Sequence, residues 1–274
     1  MLRLAIRVRR EEAELVLAEL LELAPAGVEE VELEDAIEYA VYGAPGELPA
    51  LPDLRAAAGT ALVEVSTSEI DDDWAERWRK FHRPLVLDGT LTVRPPWEPP
   101  GTTPIDVIID PGQAFGTGAH ASTRLCLELM LDLASEPGAP YGACLDLGCG
   151  SGVLGIVAAR LGWAPVIAVD YDLASVQAAQ ANALANDVEL DVRRLDLRSD
   201  RLPEAPTVAA NLLSPLLIAG AARIAAAQPR QVIVSGILVP EADDVAQAFA
   251  AHGLTVAARR TRGEWAALLL RAAL

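Results

Sequence analysis

From Ile105 to the C-terminus, runs with strand character alternate with runs of helical period, and this order constrains the fold more than any other feature. "ACLDLG", "PVIAVD", "ELDVRRLD", "TVAANLL" and "QVIVSGI" are short apolar or alternating runs that read as strands. "STRLCLELMLDLA" precedes the first of them as a helix. "GVLGIVAARLG", "DLASVQAAQANALAN", "SPLLIAGAARIAAA" and "PEADDVAQAFAAHG" follow as helices between strands. Such repetition makes successive strands parallel and lays helices on both faces of the sheet. The chain closes on "LTVAARRT" and "EWAALLLRA", two strands about a turn at Gly263. The expectation for 105–274 is a mostly parallel α/β sheet ending in an antiparallel hairpin.

A different order precedes it. "LRLAIRV" alternates as a strand, and "EEAELVLAELLELA" is an amphipathic helix with Ala13, Leu17, Leu20 and Ala24 on one face. "VEEVELED" and "AIEYAVYG" are strands about an acidic turn at Asp35. "LPDLRAAAG" is a short helix stopped by Gly59, and "ALVEVST" is a strand. The order β-α-β-β-α-β predicts a small α+β, ferredoxin-like domain over 1–68. It has no catalytic constellation, so it is a scaffold or a module that binds a partner. Residues 69–104 read as an interdomain linker. It holds a helix with Trp74, Trp78 and Phe81 in a stripe, a hairpin turning at Asp88-Gly89, and the stiff stretch "RPPWEPPGTTP".

Charge and composition narrow the partners. A formal net charge of −17 disfavours a passive nucleic-acid binder, which needs basic residues against phosphate, and suits a small or basic partner. Cys126, Cys144 and Cys149 have neither the spacing of a disulfide framework nor that of a zinc site, so buried apolar roles and no metal are expected. The most apolar window, Val208 to Ala227, is broken by Asn211, Ser214, Pro215 and Arg223. It fits a strand, a turn and a buried helix better than a membrane span. "MLRLAIRVRREE" lacks the apolar core of a signal peptide. A cytoplasmic protein without a membrane partner is expected.

Two glycine-rich stretches carry the chemistry. "LDLGCGSGVLG" joins a strand to a helix, where glycines let backbone approach a ligand and the helix N-terminus offers free N–H groups. Gly150, Gly152 and Gly155 match the dinucleotide fingerprint G-x-G-x-x-G. Asp146, Gly148, Gly150 and Gly152 match D-x-G-x-G-x-G, the first motif of S-adenosylmethionine-dependent methyltransferases. Asp146 behind the first glycine suits the cationic end of adenosylmethionine and would repel a pyrophosphate, which favours the second pattern. Asp170 ends the next strand, where a carboxylate can accept both hydroxyls of a ribose. Asn211 ends "TVAAN", at the crevice where open α/β sheets bind ligands. It either accepts a hydrogen bond from an amine or helps turn the chain before Ser214-Pro215. The other stretch, "DPGQAFGTGAH", ends on His120, which is either the best candidate for a general base or a loop residue bonded to backbone.

"DPGQAFGTGAHASTRLCL", "LDLGCGSGVLGIVAARLG", "VDYDLASVQAAQANALAN", "AANLL" and "VSGIL" occur in order. Together they resemble the ribosomal protein L-eleven methyltransferase family, PrmA, over about residues 60–274. The block with "AFGTGxH" is the most specific, and "DDDWAERWRKF" resembles that family's linker helix. The resemblance implies a Rossmann-like class I methyltransferase domain and the cofactor S-adenosyl-L-methionine. It also implies methylation of amines, lysine side chains or the N-terminal α-amine, on a basic ribosomal protein held by the N-terminal domain. Thr123, Gly148, Asp170 and Asn211 match the family's cofactor-binding positions. Phe115 and Gly116 fall in its pocket-lining loop and His120 matches its loop histidine. Two departures stand out: Ser122-Thr123 replaces Thr-Thr, and Pro206-Thr207 stands where the family has an Asp, which bears on how that strand starts. A nucleotide-cofactor oxidoreductase and a non-catalytic binding protein are the alternatives.

Overall fold

Along β1 (Leu2–Arg9), period-two alternation sends Leu4, Ile6 and Val8 into a core while Arg3 and Arg7 reach the opposite face. There both guanidinium groups hold Glu38, at 2.7 and 2.6 Å, and keep its carboxyl below the usual carboxylate range. The computed structural model describes residues 2–13, 16–17, 20, 29–33, 35–43, 48, 54, 58–69, 83–110, 120–139 and 142–272. The chain divides into two units, Met1–Phe81 and His82–Leu274.

In the first unit β1 is followed by β2 (Glu29–Glu32), β3 (Ala36–Gly43) and β4 (Leu62–Glu69), antiparallel in the order β2-β3-β1-β4. This is the order of a split βαβ sheet. Ala13, Val16 and Leu20 are helical and buried with Leu17 packed beside them, so Val16 joins the expected face; Ala24 lies outside the described residues. Leu54 and Ala58 are helical, and Gly59 opens a 3-10 turn at φ 50°. The core there is apolar: Leu4, Ile6, Val8, Leu20, Tyr39 and Leu54 dominate it.

The second unit begins in the expected hairpin, β5 (Leu85–Leu87) and β6 (Leu91–Arg94), with Asp88 and Gly89 both at positive φ. β7 (Ile105–Ile108) then pairs parallel to β6. Residues from the hairpin onward are therefore not a free linker. Leu85, Leu87, Leu91, Val93, Val107 and Ile109 belong to one apolar core with the helices described next. The proline-rich stretch between β6 and β7 is folded back by buried Arg94, which grips Asp106 and donates to the Glu98 carbonyl at 2.7 Å. The expected linker helix, with Trp74, Trp78 and Phe81, lies outside the described residues.

The main sheet holds β8 (Cys144–Leu147), β9 (Val166–Asp170), β10 (Asp191–Arg194), β11 (Thr207–Asn211), β12 (Gln231–Leu238), β13 (Leu254–Arg262) and β14 (Trp265–Ala272). Its order is β10-β9-β8-β11-β12-β14-β13. β8 to β12 are parallel, and β14 runs against both β12 and β13. The C-terminal hairpin thus contributes one antiparallel strand, inserted, while its other strand forms the edge. Helices α1 (Ala121–Ala134) and α2 (Val153–Leu161) pack on one face, and α4 (Ser214–Ala226) and α5 (Ala242–Ala250) on the other. Between them in sequence, α3 (Leu173–Ala185) follows β9. The strand order reverses between β8 and β11, which opens the crevice at their C-terminal ends.

Local doubts in the sequence are settled by packing. β11 starts at Thr207, whose buried Oγ1 accepts from Trp163 Nε1 at 3.1 Å and Gln231 Nε2 at 2.9 Å, and the Pro206 carbonyl accepts from Arg230 and Gln231. The strand therefore forms without the family's Asp. The apolar window from Val208 is β11, a turn and α4; no helix among the described residues is long and apolar enough to cross a membrane. All three cysteines are free and buried, and burial pushes their thiols up, away from reactivity.

Candidate active site

At the end of β8 the chain turns through Gly148–Gly152 into α2. Gly148 has φ 72°, a region that costs an L side chain roughly 1–2 kcal/mol. A Cβ there would also stand 2.4 Å from Leu212 Cδ2. Gly150 and Gly152 share the positive φ, and the helix starts at Gly152 with no side-chain cap. One carboxylate organises the turn. Asp170, the last residue of β9, accepts the Gly150 N–H on Oδ2 at 2.9 Å and the Asp172 N–H on Oδ1 at 3.0 Å. Each oxygen retains a second acceptor position, the capacity a ribose diol needs.

Asp146 departs from its expected role of meeting the cofactor's cationic end. Strand parity turns its side chain beneath α2, where it is 1% exposed and Oδ2 accepts the Gly155 N–H at 2.8 Å. Its Oδ1 is buried with no partner among the described residues. Burial pushes the carboxyl up to about 7 against the pull of the Gly155 N–H, and the charge of Asp170 adds to the rise. Asp146 therefore supports the glycine turn from behind.

On the other side of the switch point Asn211 ends β11. Its Nδ2 donates to Thr123 Oγ1 at 3.1 Å, and Thr123, in the first turn of α1, is fully buried. That bond fixes the carboxamide and leaves Oδ1 buried with no partner among the described residues. Gly236 makes room for it. A Cβ on Gly236 would lie 2.9 Å from Asn211 Oδ1 and 2.7 Å from the Leu212 carbonyl oxygen, at a φ of 80°. Ser235, paired with Asn211 across the strands, donates to the Ser122 and Ala266 carbonyls at 3.0 and 3.1 Å and so ties α1 to the sheet. Sequence reasoning assigned no role to Gly236 or Ser235. The signal was present in "VSGIL", a glycine at the end of the strand beside Asn211.

His120 is the N-cap of α1. Its Nδ1 accepts the Ser122 N–H at 3.3 Å and lies 2.8 Å from Ser122 Oγ, while the ring meets Trp265 edge-on at 4.7 Å. Burial lowers its pKa. With Nδ1 accepting at the helix N-terminus, His120 serves as the cap of α1 in this geometry. Phe115 and Gly116 lie outside the described residues.

The site therefore gathers Gly148, Gly150, Gly152 and Asp170 on one side, with Asn211 and its support Thr123 on the other. Acceptor oxygens line it, which suits a cationic cofactor. Its inserted antiparallel β14 departs from the parallel 3-2-1-4-5-6 order of dinucleotide-binding sheets.

Residues 47–273 match the family model described as ribosomal protein L11 methyltransferase (PrmA). The chain belongs to that family. It is an S-adenosylmethionine-dependent methyltransferase, and neither an oxidoreductase nor a mere binding protein is favoured. A ribosomal protein L11 methyltransferase of Heliobacterium modesticaldum is 38% identical over 209 residues, 74% of this chain and 65% of the relative. One from Geobacter sulfurreducens is 39% identical over 228 residues, 81% of this chain and 74% of the relative. Among solved structures, the ribosomal protein L11 methylase of Lactobacillus delbrueckii subsp. bulgaricus superposes with a TM-score of 0.61 at 26% identity, covering 70% of this chain and all of that one.

Proposed function

We propose that this PrmA-family enzyme methylates amines of a basic large-subunit ribosomal protein, L11 by the names of its relatives, at lysine side chains, the N-terminal α-amine or both. The observation that carries this reading is the buried, unpartnered Oδ1 of Asn211 at the switch point of the sheet. Bound adenosylmethionine supplies a methyl carbon made electrophilic by its sulfonium. Asn211 Oδ1 accepts an N–H of the incoming amine and turns the nitrogen lone pair towards that carbon. Thr123 keeps the carboxamide from rotating, so the acceptor stays in place through the transfer. Asp170 accepts the ribose hydroxyls and holds the glycine turn in register with them. Gly148, Gly150 and Gly152 let backbone approach the amino-acid end.

A lysine side chain has an unperturbed pKa near ~10.4 and an α-amine near ~8, so the attacking amine must reach the site deprotonated. Asn211 favours this, because a neutral carboxamide does not stabilise an ammonium as a carboxylate does. The loop containing Phe115 and Gly116 completes the pocket in this reading. The first unit holds the protein substrate, and the net charge of −17 draws a basic partner. No nucleic acid or membrane is required.

Incubation with isotopically labelled adenosylmethionine and undermethylated large-subunit ribosomal proteins, followed by intact-mass analysis, tests the reading. Mass increments in steps of one methyl on L11 support it. An unmodified L11 at enzyme concentrations that bind the cofactor refutes it.

A further inference from the structure

The inner face of α3 carries two buried carboxamides that methyl transfer does not use. Asn182, 3% exposed, accepts the Asp110 N–H on Oδ1 at 3.0 Å and donates from Nδ2 to the Ser151 carbonyl at 2.9 Å. Four residues on, Asn186 accepts the Ile108 N–H at 2.8 Å and donates to the Ile108 carbonyl at 2.6 Å and to the Asn182 carbonyl at 2.7 Å. Residues four apart share one face of a helix, so the pair reads alternate residues leaving β7. The two are not equivalent. Among the described residues the Asn186 side chain bonds only that strand and its own helix, while its backbone carbonyl accepts from Arg160 of α2. Asn182 also touches the glycine turn, because Ser151 lies between Gly150 and Gly152.

Two further features place α3 against this turn. A Cβ on Gly152 would lie 3.0 Å from Ala179 Cβ and 3.1 Å from its Cα, so the helix presses directly on the turn. At its start the Asp172 side chain caps α3, and the Asp172 N–H is held by Asp170, which also holds the Gly150 N–H. A single side chain, Asn182, thus joins the backbone leaving β7 to the glycine turn.

We infer that Asn182 is a positioning residue for methyl transfer: its carboxamide locks Asp110 to Ser151 and so fixes the glycine turn Gly148–Gly152 against the backbone leaving β7. The inference rests on the cofactor reading of the glycine turn. A carboxamide suits this task because it presents one acceptor and one donor in a plane, and both face backbone groups of matching sense. A carboxylate of the same shape turns an oxygen towards the Ser151 carbonyl. The bond to Ser151 is buried and the bond to Asp110 partly so, and a mismatched polar group on the buried side is costly.

Titration calorimetry with adenosylmethionine on the full chain tests this with Asn182→Asp, Asn186→Ala and the unsubstituted protein. At pH 8 Asn182→Asp should raise Kd about tenfold, the loss of one buried polar interaction. Its acid form restores a donor towards Ser151 and an acceptor towards Asp110. The ratio of its Kd to that of the unsubstituted protein should therefore fall back towards one on acidification, with groups common to both proteins cancelling. Asn186→Ala should lower Tm yet leave Kd within about twofold, since the bridge to Ser151 remains. A purely structural role predicts that Kd follows Tm. Equal Kd shifts in the two variants, or no shift in Asn182→Asp, overturns the inference.

Should Asn182→Asp fail to fold, hydrogen exchange of the unsubstituted protein decides. Saturating adenosylmethionine should slow exchange of the Asp110 amide about tenfold, in step with the turn it is tied to. An unchanged Asp110 amide overturns the inference. An unsubstituted protein that does not bind adenosylmethionine overturns the cofactor reading itself.

Discussion

The two units bury different things. Among the described residues, the first unit's core is apolar, and Glu38 is its one buried charged side chain, held by Arg3 and Arg7 on the outer face of the sheet. The second unit buries Ser122, Thr123, Asp146, Ser151, Asp170, Asn182 and Ser235 around the C-terminal ends of its strands. Every one of these takes part in a hydrogen bond that reaches another element or shapes the glycine turn. Buried polar groups stabilise a fold only when their partners are fixed, so they specify one geometry rather than add bulk stability. The second unit carries the buried polar network of a preorganised site, and the described core of the first does not.

The division can be broken by separating the units. Among the described residues, the cores of the second unit draw only on residues from Leu85 onward. Deleting residues 1–81 should leave the cofactor Kd within about twofold and cut methylation of the ribosomal protein roughly 10²-fold or more, as expected when a tethered docking surface is lost. Calorimetry and a methylation assay on the truncated chain read both quantities. Full-rate methylation by the truncated chain would end the substrate-holding role of the first unit.

Within the second unit, Asn211→Ala should slow turnover about 10²-fold while changing cofactor affinity far less, because its bond to the amine matters most in the aligned transition state. Single-turnover rates check this. Parent-like rates would reduce Asn211 to a turn residue. Asp170→Ala removes a carboxylate that orders the turn and that the proposed reading assigns to the ribose, and should weaken cofactor binding by ~1.5–3 kcal/mol. An unaltered Kd would take Asp170 out of the ribose site.

The smallest effect sharpens the comparison through pH. Asp146 titrates near 7 when folded, against a carboxyl of ~3.9 in an unfolded chain. Between those values the folded protein keeps a proton that the unfolded chain has released, so stability falls as pH rises through the window. Asp146→Asn keeps an acceptor for Gly155 and removes the titration. It should flatten the profile of Tm against pH between about 4 and 7. Parallel profiles for variant and parent would show that Asp146 does not titrate there.

Local order was legible in the residues. Strand and helix periods located β8 to β14 and all five helices of the second unit, because period and chain breakers act over a few residues. Gly162 at φ 99° and Gly263 at φ 58° end elements where the sequence ended them. The D-x-G-x-G-x-G spacing located the turn, and the ends of "VIAVD" and "TVAAN" located Asp170 and Asn211.

What tertiary structure alone decided is which partner each polar atom meets. That Gly236 yields space to Asn211, that Asn211 is held by Thr123, and that Asn182 joins Asp110 to Ser151 all depend on contacts between elements distant in sequence. The insertion of β14 between β12 and β13, and the burial of the hairpin from Leu85, depend likewise on which apolar faces find each other. A residue's type and local period fix how its own backbone runs. Its role is fixed only when hydrophobic burial has brought the other elements against it.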